Sequence, residues 1–357
     1  MPTTITTTTT ITTRKPTRKT DMTEGYARDV KALSFFRLCE ALKENKKTLI
    51  ICHARPDGDA IGSAFALKAI LGKLGIESYC VCEDEVPKRL RFLSAPIQSG
   101  SLADSIPEDF YPERVITVDT ASPSQLGKLA PYFSDKVDIM IDHHRSGFAF
   151  ADNYIDSNAA ATGEIIYKIA DALLMANGIP LPRDAARCLY AAISSDTGCF
   201  KYSNVTPTTH MVAASLVKSG IDAAEINRLL FDAKSPERLK AEKVALQRLK
   251  LFDGGRISCV ALSYEDAEAE GVDLEELDAL IDVARCVDGV MVAFAVKQKE
   301  AGETFRISMR SECKVDVAAI CERFGGGGHV KAAGCAVTAG SADEAAEIIL
   351  REIEGAL

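Results

Sequence analysis

Residues 48–63 read TLIICHARPDGDAIGS, an apolar run followed by a histidine, two aspartates and glycines. The five residues from Thr48 to Cys52 have the length and continuous apolar character of a strand buried on both faces. A helical pattern then runs from Ala60 to Leu74 and stops at Gly75. The polar residues between strand and helix are therefore expected at the sheet edge where open α/β folds bind ligands.

The alternation of short apolar runs with helical segments continues along the chain. Strand-like runs recur at 78–82, 115–118 and 137–141, and helical patterns cover 31–45, 163–176, 183–194, 210–219 and 222–231. Strands that are apolar on both sides and separated by helices are typical of a parallel sheet with helices on both faces. We therefore expect an α/β fold with a doubly wound parallel sheet.

The N-terminal end of the chain has a different composition from the rest. Residues 1–20 contain eleven threonines and almost nothing that could pack in a core. Residues 1–25 are therefore predicted to be a disordered, low-complexity tail, which leaves open whether Met22 is the biological start. The first folded domain is predicted to cover residues 26–231.

A second change of composition follows this domain. Residues 234–250 combine many charges with helical spacing, so residues 232–252 are predicted to be a charged helical linker. Residues 253–357 are predicted to form a smaller C-terminal α/β domain. Its strand-like runs are 257–262, 290–296 and 305–309, and its last helical pattern is 342–354.

The charge of the chain limits the class of binding partner. The 357 residues include 42 Lys and Arg against 51 Asp and Glu, a net charge of −9. Proteins that bind long nucleic acid concentrate basic residues, so a long duplex partner is excluded. A short or small anionic substrate is compatible with this charge if metal ions supply the positive charge.

The cysteines and the hydropathy favour a cytoplasmic protein. The eleven cysteines are scattered singly through apolar runs without a CxxC pair, which is typical of reduced thiols in a core. No run reaches the roughly 18 consecutive apolar residues of a membrane span, and the N-terminus lacks the apolar core of a secretory signal. We therefore expect a cytoplasmic location and no membrane partner.

Candidate metal ligands follow the first strand. His53, Asp57 and Asp59 combine an imidazole with two carboxylates, a mixed nitrogen and oxygen donor set suited to Mn²⁺ or Mg²⁺. The alternative is an aspartate that caps the next helix, which explains neither the second aspartate nor the histidine. The pattern therefore favours a metal site.

Two other apolar runs also end in acidic residues or histidines. Asp119 ends the run 115–118, and the triplet Asp142-His143-His144 follows the run 137–141. Buried strands seldom end in charge without a partner, and pooling these groups around cations removes their mutual repulsion. We therefore expect these side chains at the same metal site.

Two further motifs are typical of helix ends. Asp196, in SSDTG at 194–198, supplies another carboxylate, although alone it is more typical of a cap than of a ligand. Thr162, in AATGE at 160–164, lies where a helix cap is expected. We favour the structural interpretation for Thr162.

These motifs, in this order, resemble those of the DHH phosphoesterase superfamily, named for the triplet at 142–144. The superfamily includes RecJ exonucleases, family II pyrophosphatases and exopolyphosphatases, and the resemblance runs from about residue 30 to the C-terminus. It implies two divalent metal ions, and the imidazoles among the ligands favour Mn²⁺, with Mg²⁺ as the alternative. The implied ligands are His53, Asp57 and Asp119 for one ion and Asp59, Asp119, His143 and Asp196 for the other, so that Asp119 bridges them.

The chemistry of such a centre follows general rules. Two divalent ions about 3.5–4 Å apart hold a hydroxide nucleophile and coordinate the phosphoryl oxygens that it attacks. The resemblance implies that Asp142 supports the histidines. We interpret His144 as the acid that protonates the departing alkoxide, so Asp142 and His144 are the predicted catalytic residues.

A glycine segment, residues 324–329, reads FGGGGH. Four consecutive glycines are unfavourable in an ordinary helix or strand unless a ligand approaches the backbone closely, and the alternative is a flexible loop. Together with residues 332–334 the segment resembles the DHH-associated C-terminal domain. That resemblance implies an interdomain active-site cleft in which the substrate phosphate or base is bound by Arg310, Gly325, Gly326, Gly327, Gly328 and His329.

The compact layout is most similar to that of the bacterial nanoRNases. RecJ proteins are longer, and the basic Arg-Lys-Lys cluster of family II pyrophosphatases is absent from residues 255–357. We therefore predict a metal-dependent phosphoesterase acting on short oligoribonucleotides or 3′-phosphoadenosine 5′-phosphate, with a homodimer left open. The alternatives are a cyclic di-AMP or linear dinucleotide phosphodiesterase, a catalytically silent nucleotide sensor, and an RNA-binding or tRNA-editing module.

Overall fold

A computed structural model describes residues 30–94, 106–107, 109–145 and 147–357. The chain separates into two compact units, the first ending at Asp232 and the second running from Ala233 to Leu357. The tail predicted over residues 1–25 lies outside the described residues.

A five-stranded sheet forms the centre of the first unit. Its strands are β1 Thr48–Ile51, β2 Ser78–Val81, β3 Arg114–Val118, β4 Ile139–Asp142 and β5 Asp152–Ile155. Their order is β2-β1-β3-β4-β5, and all neighbouring pairs are parallel. The chain thus adds β2 on one side of β1 and the later strands on the other side, which confirms the doubly wound parallel sheet.

Both faces of this sheet are buried. Leu49 and Ile51 of β1 pack with Met140 on one face, while Ile50 packs on the other face in the larger core that contains Ile61. Because alternate strand residues point to opposite faces, burial of both faces requires the continuously apolar run seen in the sequence. The helices of this unit are α1 Phe35–Lys43, α2 Gly58–Lys73, α3 Arg91–Ser94, α4 Ala130–Phe133, α5 Thr162–Leu173, α6 Arg183–Asp196, α7 Pro207–Lys218 and α8 Ala223–Asn227.

A six-stranded mixed sheet forms the centre of the second unit. Its strands are β6 Leu249–Phe252, β7 Ile257–Leu262, β8 Val292–Lys297, β9 Thr304–Ser311, β10 Gly327–His329 and β11 Ala332–Thr338. The order is β10-β11-β9-β8-β7-β6, with β7 and β8 parallel and the other pairs antiparallel. The helices are α9 Pro236–Gln247, α10 Tyr264–Ala269, α11 Ala279–Arg285, α12 Val317–Glu322 and α13 Ala342–Glu354. Among the described residues of both units, no helix combines the length and apolar character needed to cross a membrane.

The segment predicted to be a linker, residues 232–252, differs from that prediction. In α9, Ala241, Val244 and Ala245 are buried in a cluster with Val260 and Leu280 of the second unit. Residues 249–252 are the strand β6, which pairs with β7. Although α9 is highly charged, it has a narrow apolar stripe at helical spacing. Because this stripe is buried and β6 pairs with β7, the segment is an integral part of the second unit.

Part of the glycine segment forms a strand, although four consecutive glycines are unfavourable in an ordinary strand. Gly327–His329 form β10, an edge strand that pairs with Ala332–Gly334. A Cβ atom on Gly326 would lie 2.2 Å from the carbonyl oxygen of Gly334, which is far too close. The neighbouring strand, rather than a ligand, therefore requires a glycine at position 326.

Candidate metal centre

The carboxyl edge of the five-stranded sheet brings together the side chains that the sequence predicts as metal ligands. The ends of β1, β3 and β4 contribute residues, and so do the start of α2 and the end of α6. Three groups of ligand atoms lie within 4.8 Å of one another: His53, Asp57 and Asp119; Asp59, His143 and Asp196; and Asp119, His143 and His144.

His53 faces two carboxylates with one ring nitrogen and a carbonyl oxygen with the other. Its Nε2 lies 3.5 Å from Oδ2 of Asp119 and 3.8 Å from Oδ1 of Asp57. Its Nδ1 lies 2.9 Å from the carbonyl oxygen of Ala54. Because a carbonyl oxygen only accepts, Nδ1 carries the proton of neutral His53 and Nε2 presents a lone pair to the carboxylates.

His143 repeats this arrangement in the second group. Its Nδ1 lies 3.3 Å from the carbonyl oxygen of Ala159. Its Nε2 lies 3.4 Å from Oδ2 of Asp196, 3.7 Å from Oδ1 of Asp119 and 3.9 Å from Oδ2 of Asp59. A lone pair that faces carboxylate oxygens is repelled unless a proton or a metal cation lies between them. Both histidines therefore have the orientation of metal ligands.

Asp57 and Asp59 begin α2 and have different surroundings. Oδ1 of Asp57 accepts hydrogen bonds from the amides of Asp59 and Ala60, each 3.0 Å long, so Asp57 caps the helix while it faces His53. Asp59 is fully buried. The two interpretations of the sequence, helix cap and ligand, thus describe the same side chain of Asp57.

Asp119 lies between the two groups and has a strained backbone. Its φ is 55°, in the left-handed region that few residues other than glycine adopt. Such a conformation costs about 1–3 kcal/mol and is concentrated at functional sites. It directs the carboxylate, which is only 3% exposed, toward both His53 and His143.

Asp142 holds His144 in place. Nδ1 of His144 donates to Oδ1 of Asp142 over 2.7 Å, and the backbone amide of His143 donates to the same oxygen over 2.9 Å. Oδ2 of Asp142 is buried and, within the part of the chain that is described, has no hydrogen-bond partner. Asp142 thus contacts the ring of His144 but only the backbone of His143.

The proximity of these groups shifts their pKa values. Burial alone would lower the pKa of His53, but the neighbouring Asp119 and Asp57 carboxylates outweigh it and raise that pKa to about 11. Burial would raise the pKa of Asp57, yet His53 lowers it to about 2. Burial, with the charge of Asp119, raises the pKa of Asp59 to about 7, and burial also raises the pKa of Asp196.

The raised pKa values of His53 and Asp59 indicate that the site favours positive charge. With no metal present, protons on His53 and Asp59 supply that charge near neutral pH. Carboxylate oxygens and imidazole nitrogens form the donor set that Mn²⁺, Mg²⁺ and related divalent ions use in proteins. The residues present therefore fit a divalent metal, which would replace the protons.

Residues outside the predicted ligand set surround Asp59. Its carboxylate accepts hydrogen bonds from Ser63 Oγ and from the amides of Thr162 and Gly163. Thr162 was interpreted only as a helix cap, but its hydroxyl also donates to Asp119. No local pattern shows the contacts of Thr162 and Gly163, because α5 begins about a hundred residues after Asp59.

The predicted substrate-binding residues lie in the second unit. His329 on β10 and Arg310 on β9 are both register partners of Ala332 on β11. Directly opposed residues of antiparallel strands point to the same face, so Arg310 and His329 share one face of this sheet, about 10 Å apart between their Cα atoms. Gly325 to Gly328 precede His329 at the same edge.

Both units of the chain match known protein domains. Residues 47–193 match the DHH family, N-terminal domain, and residues 257–355 match the DHHA1 domain. A crystal structure of an exopolyphosphatase-related protein from Bacteroides fragilis has a TM-score of 0.81 at 21% sequence identity, covering 92% of this chain and 98% of that one. This likeness shows a shared fold.

The sequence relatives extend over almost the full length. The chain is 32% identical over 320 residues to the bifunctional oligoribonuclease and PAP phosphatase NrnA of Thermus thermophilus, covering 88% of this chain and 92% of the relative. It is 28% identical over 299 residues to the protein of the same name from Bacillus subtilis, covering 83% and 90%. With both domains matched in order, the chain belongs to the DHH phosphoesterase family, whose enzymes hydrolyse phosphate esters.

Proposed function

We propose that the protein hydrolyses short oligoribonucleotides and 3′-phosphoadenosine 5′-phosphate (PAP) in a metal-dependent reaction. The observation that carries the proposal is the pair of histidines, His53 and His143, whose Nε2 atoms face carboxylates at one sheet edge. The relatives from Thermus thermophilus and Bacillus subtilis, which are named for both activities, support the choice of substrates.

The proposed centre holds two divalent ions, with Mn²⁺ preferred because the donor set contains imidazoles. His53, Asp57 and Asp119 would hold one ion, and Asp59, Asp119, His143 and Asp196 the other. When bound, the ions would stabilise the charge that develops on the phosphoryl oxygens and activate water for attack. The strained backbone of Asp119, which aims one carboxylate at both groups, supports its role as the shared ligand.

His144 is proposed to donate the proton that the leaving group needs. Burial would lower its pKa, but the hydrogen bond and charge of Asp142 outweigh this effect and raise the pKa. Because Nδ1 is held by Asp142, the transferable proton is the one on Nε2. Asp142 thus orients the ring and stabilises its protonated form, the role of a carboxylate behind a catalytic histidine.

Substrate binding is proposed for Arg310, for Gly325 to Gly328 and for His329. Their placement on one face and one edge of the second sheet supports a joint role. The guanidinium of Arg310 can form paired hydrogen bonds with a phosphate, and an imidazole can donate to a phosphate or stack on a base.

One substrate panel tests the proposal. Purified protein with Mn²⁺ is incubated with PAP, with di- to decanucleotides of RNA, with cyclic di-AMP and with pyrophosphate, and the products are separated by chromatography. We expect mononucleotides from the short RNAs and AMP from PAP. Hydrolysis confined to cyclic di-AMP and linear dinucleotides would support the alternative phosphodiesterase. Binding of nucleotides without turnover of any substrate would support the silent sensor.

A further inference from the structure

The carboxylate of Asp59 serves as the cap of a helix from another part of the chain. Helix α5 begins after Ala161, whose side chain cannot cap it. Its first two amides instead donate to Asp59: the amide of Thr162 to Oδ2 over 2.6 Å and the amide of Gly163 to Oδ1 over 2.8 Å. The start of α5 therefore fixes the orientation of a fully buried carboxylate.

Thr162 also contacts the second carboxylate of the site. Its Oγ1 donates to Oδ1 of Asp119 over 3.1 Å, and its side chain is fully buried. A β-branched side chain has few accessible χ1 rotamers in a helix, so the hydroxyl is held toward Asp119. One residue thus binds Asp59 with its backbone and Asp119 with its side chain.

The surroundings leave the start of α5 little freedom to move. A Cβ atom on Gly163 would lie 2.6 Å from Cβ of Ala192, so α5 and α6 are in close contact at this point. The carbonyl oxygen of Ala160, just before α5, accepts a hydrogen bond from Asn204, whose amide also donates to the carbonyl of Asp196. The start of α5 is thereby tied to the end of α6, which carries Asp196.

We propose that Thr162 is a positioning residue of the metal centre, whose hydroxyl sets the placement of the Asp119 carboxylate relative to that of Asp59. The inference rests on the proposed metal centre and adds to it a residue that is not itself a ligand. Carboxylates that face each other across a cation repel when the cation is absent. Thr162, which donates to both carboxylates, keeps them in place for metal binding. Loss of such partners typically costs 10–100-fold in metal affinity or activity.

Metal affinity of the full chain tests this role. Isothermal titration with Mn²⁺ alone compares the wild type with Thr162→Val, which removes the hydroxyl at nearly constant shape, and with Thr162→Ser, which restores it. We expect at least tenfold weaker Mn²⁺ binding in Thr162→Val and tighter binding in Thr162→Ser than in Thr162→Val. If Thr162→Val does not fold, Thr162→Ala replaces it under the same expectation.

Thr209→Val is the matched control. Thr209 is also fully buried, and its hydroxyl donates over 3.1 Å to the buried carboxylate of Glu164, outside the predicted ligand set. It should lose stability as Thr162→Val does, measured by thermal unfolding in chelator, while keeping Mn²⁺ affinity within threefold of wild type.

Four outcomes would overturn the inference. These are less than tenfold weakening in Thr162→Val (or its Ala replacement), equal affinities in Thr162→Ser and Thr162→Val, equal weakening in Thr209→Val, and a wild type that binds no Mn²⁺. The last would also overturn the proposed metal centre, whereas the first three leave that centre intact.

Discussion

The strand ends of the first sheet and the glycine segment of the second sheet owe their arrangement to different causes. At the strand ends, the Nε2 atoms of His53 and His143 face carboxylates, so these contacts are unfavourable unless a proton or a metal cation lies between the two groups. In the glycine segment, Gly326 is explained by the carbonyl of Gly334 on the adjacent strand. A group of side chains that repel one another in the folded chain is thus stronger evidence for a bound ligand than a segment of unusual composition.

The largest expected effect is at the strand ends. Asp119→Asn removes a negative charge from both proposed ion sites at nearly constant shape, so phosphoesterase activity should fall by at least about 10³-fold and bound Mn²⁺ should decrease. Chelator should abolish wild-type activity, and added Mn²⁺ should restore it. Activity is measured by product chromatography, and metal content by elemental analysis.

Asp152→Asn is the control for this variant. Asp152 lies at the amino end of β5, where it accepts a hydrogen bond from the backbone of Lys31. It should keep both activity and metal content. A folded Asp119→Asn protein that keeps a tenth of wild-type activity would show that Asp119 does not bridge the ions.

A smaller effect is expected from the second unit. Arg310→Ala or His329→Ala should lower kcat/KM for PAP by roughly 10–100-fold, because a charge-assisted hydrogen bond contributes a few kcal/mol. Metal content and hydrolysis of bis-p-nitrophenyl phosphate should change little. Arg306→Ala, four residues earlier on β9, is the control and should keep PAP hydrolysis. Equal loss of both substrates in the Arg310 and His329 variants would argue against separate roles for the two units.

Metal affinity should depend on pH with a definite sign. The metal-free protein holds a proton on His53, because its pKa is about 11, and the pKa of Asp59 is about 7. Metal ligation requires that these protons leave, so binding releases them and is favoured as pH rises. Between pH 6 and 8 the apparent Mn²⁺ affinity should increase by up to about tenfold per pH unit for each proton released. Calorimetry in buffers of different ionisation enthalpy counts the protons, and a pH-independent affinity would contradict the proposed ligand role of His53.

The smallest expected effect is a difference in stability between alanine variants of two neighbouring glycines. Gly326→Ala should lower the free energy of unfolding by about 1–3 kcal/mol, because its Cβ would collide with the adjacent strand. Gly327→Ala meets nothing within 4 Å and should change stability by less than about 0.5 kcal/mol. Urea unfolding measures both. A stable Gly327→Ala protein with impaired PAP hydrolysis would restore a ligand as the cause at that position, whereas equal destabilisation by both would contradict the packing argument.

Local patterns were sufficient to predict the parallel sheet and the edge at which the candidate ligands lie. An apolar run buried on both faces indicates a parallel strand, and parallel strands end at one edge, so His53, Asp119 and the triplet at 142–144 could be placed together. The contacts of Asp59 with Thr162 and Gly163 could not be predicted, because they depend on packing between helices that are distant in sequence. The packing of α9 in the second unit could not be predicted from its charged sequence, because its buried stripe consists of only Ala241, Val244 and Ala245.

The capping role of Asp57 and Asp59 has a consequence for how the protein opens and closes locally. Asp57 accepts hydrogen bonds from amides in the first turn of α2, and Asp59 accepts them from the first amides of α5. Because both carboxylates are also proposed to ligate metal, a bound ion should slow the fraying of both helices. Amide hydrogen exchange at Ala60 and Gly163 would then be slower in the metal-loaded protein. Two helix ends that are far apart in sequence would gain protection together, as one cooperative unit.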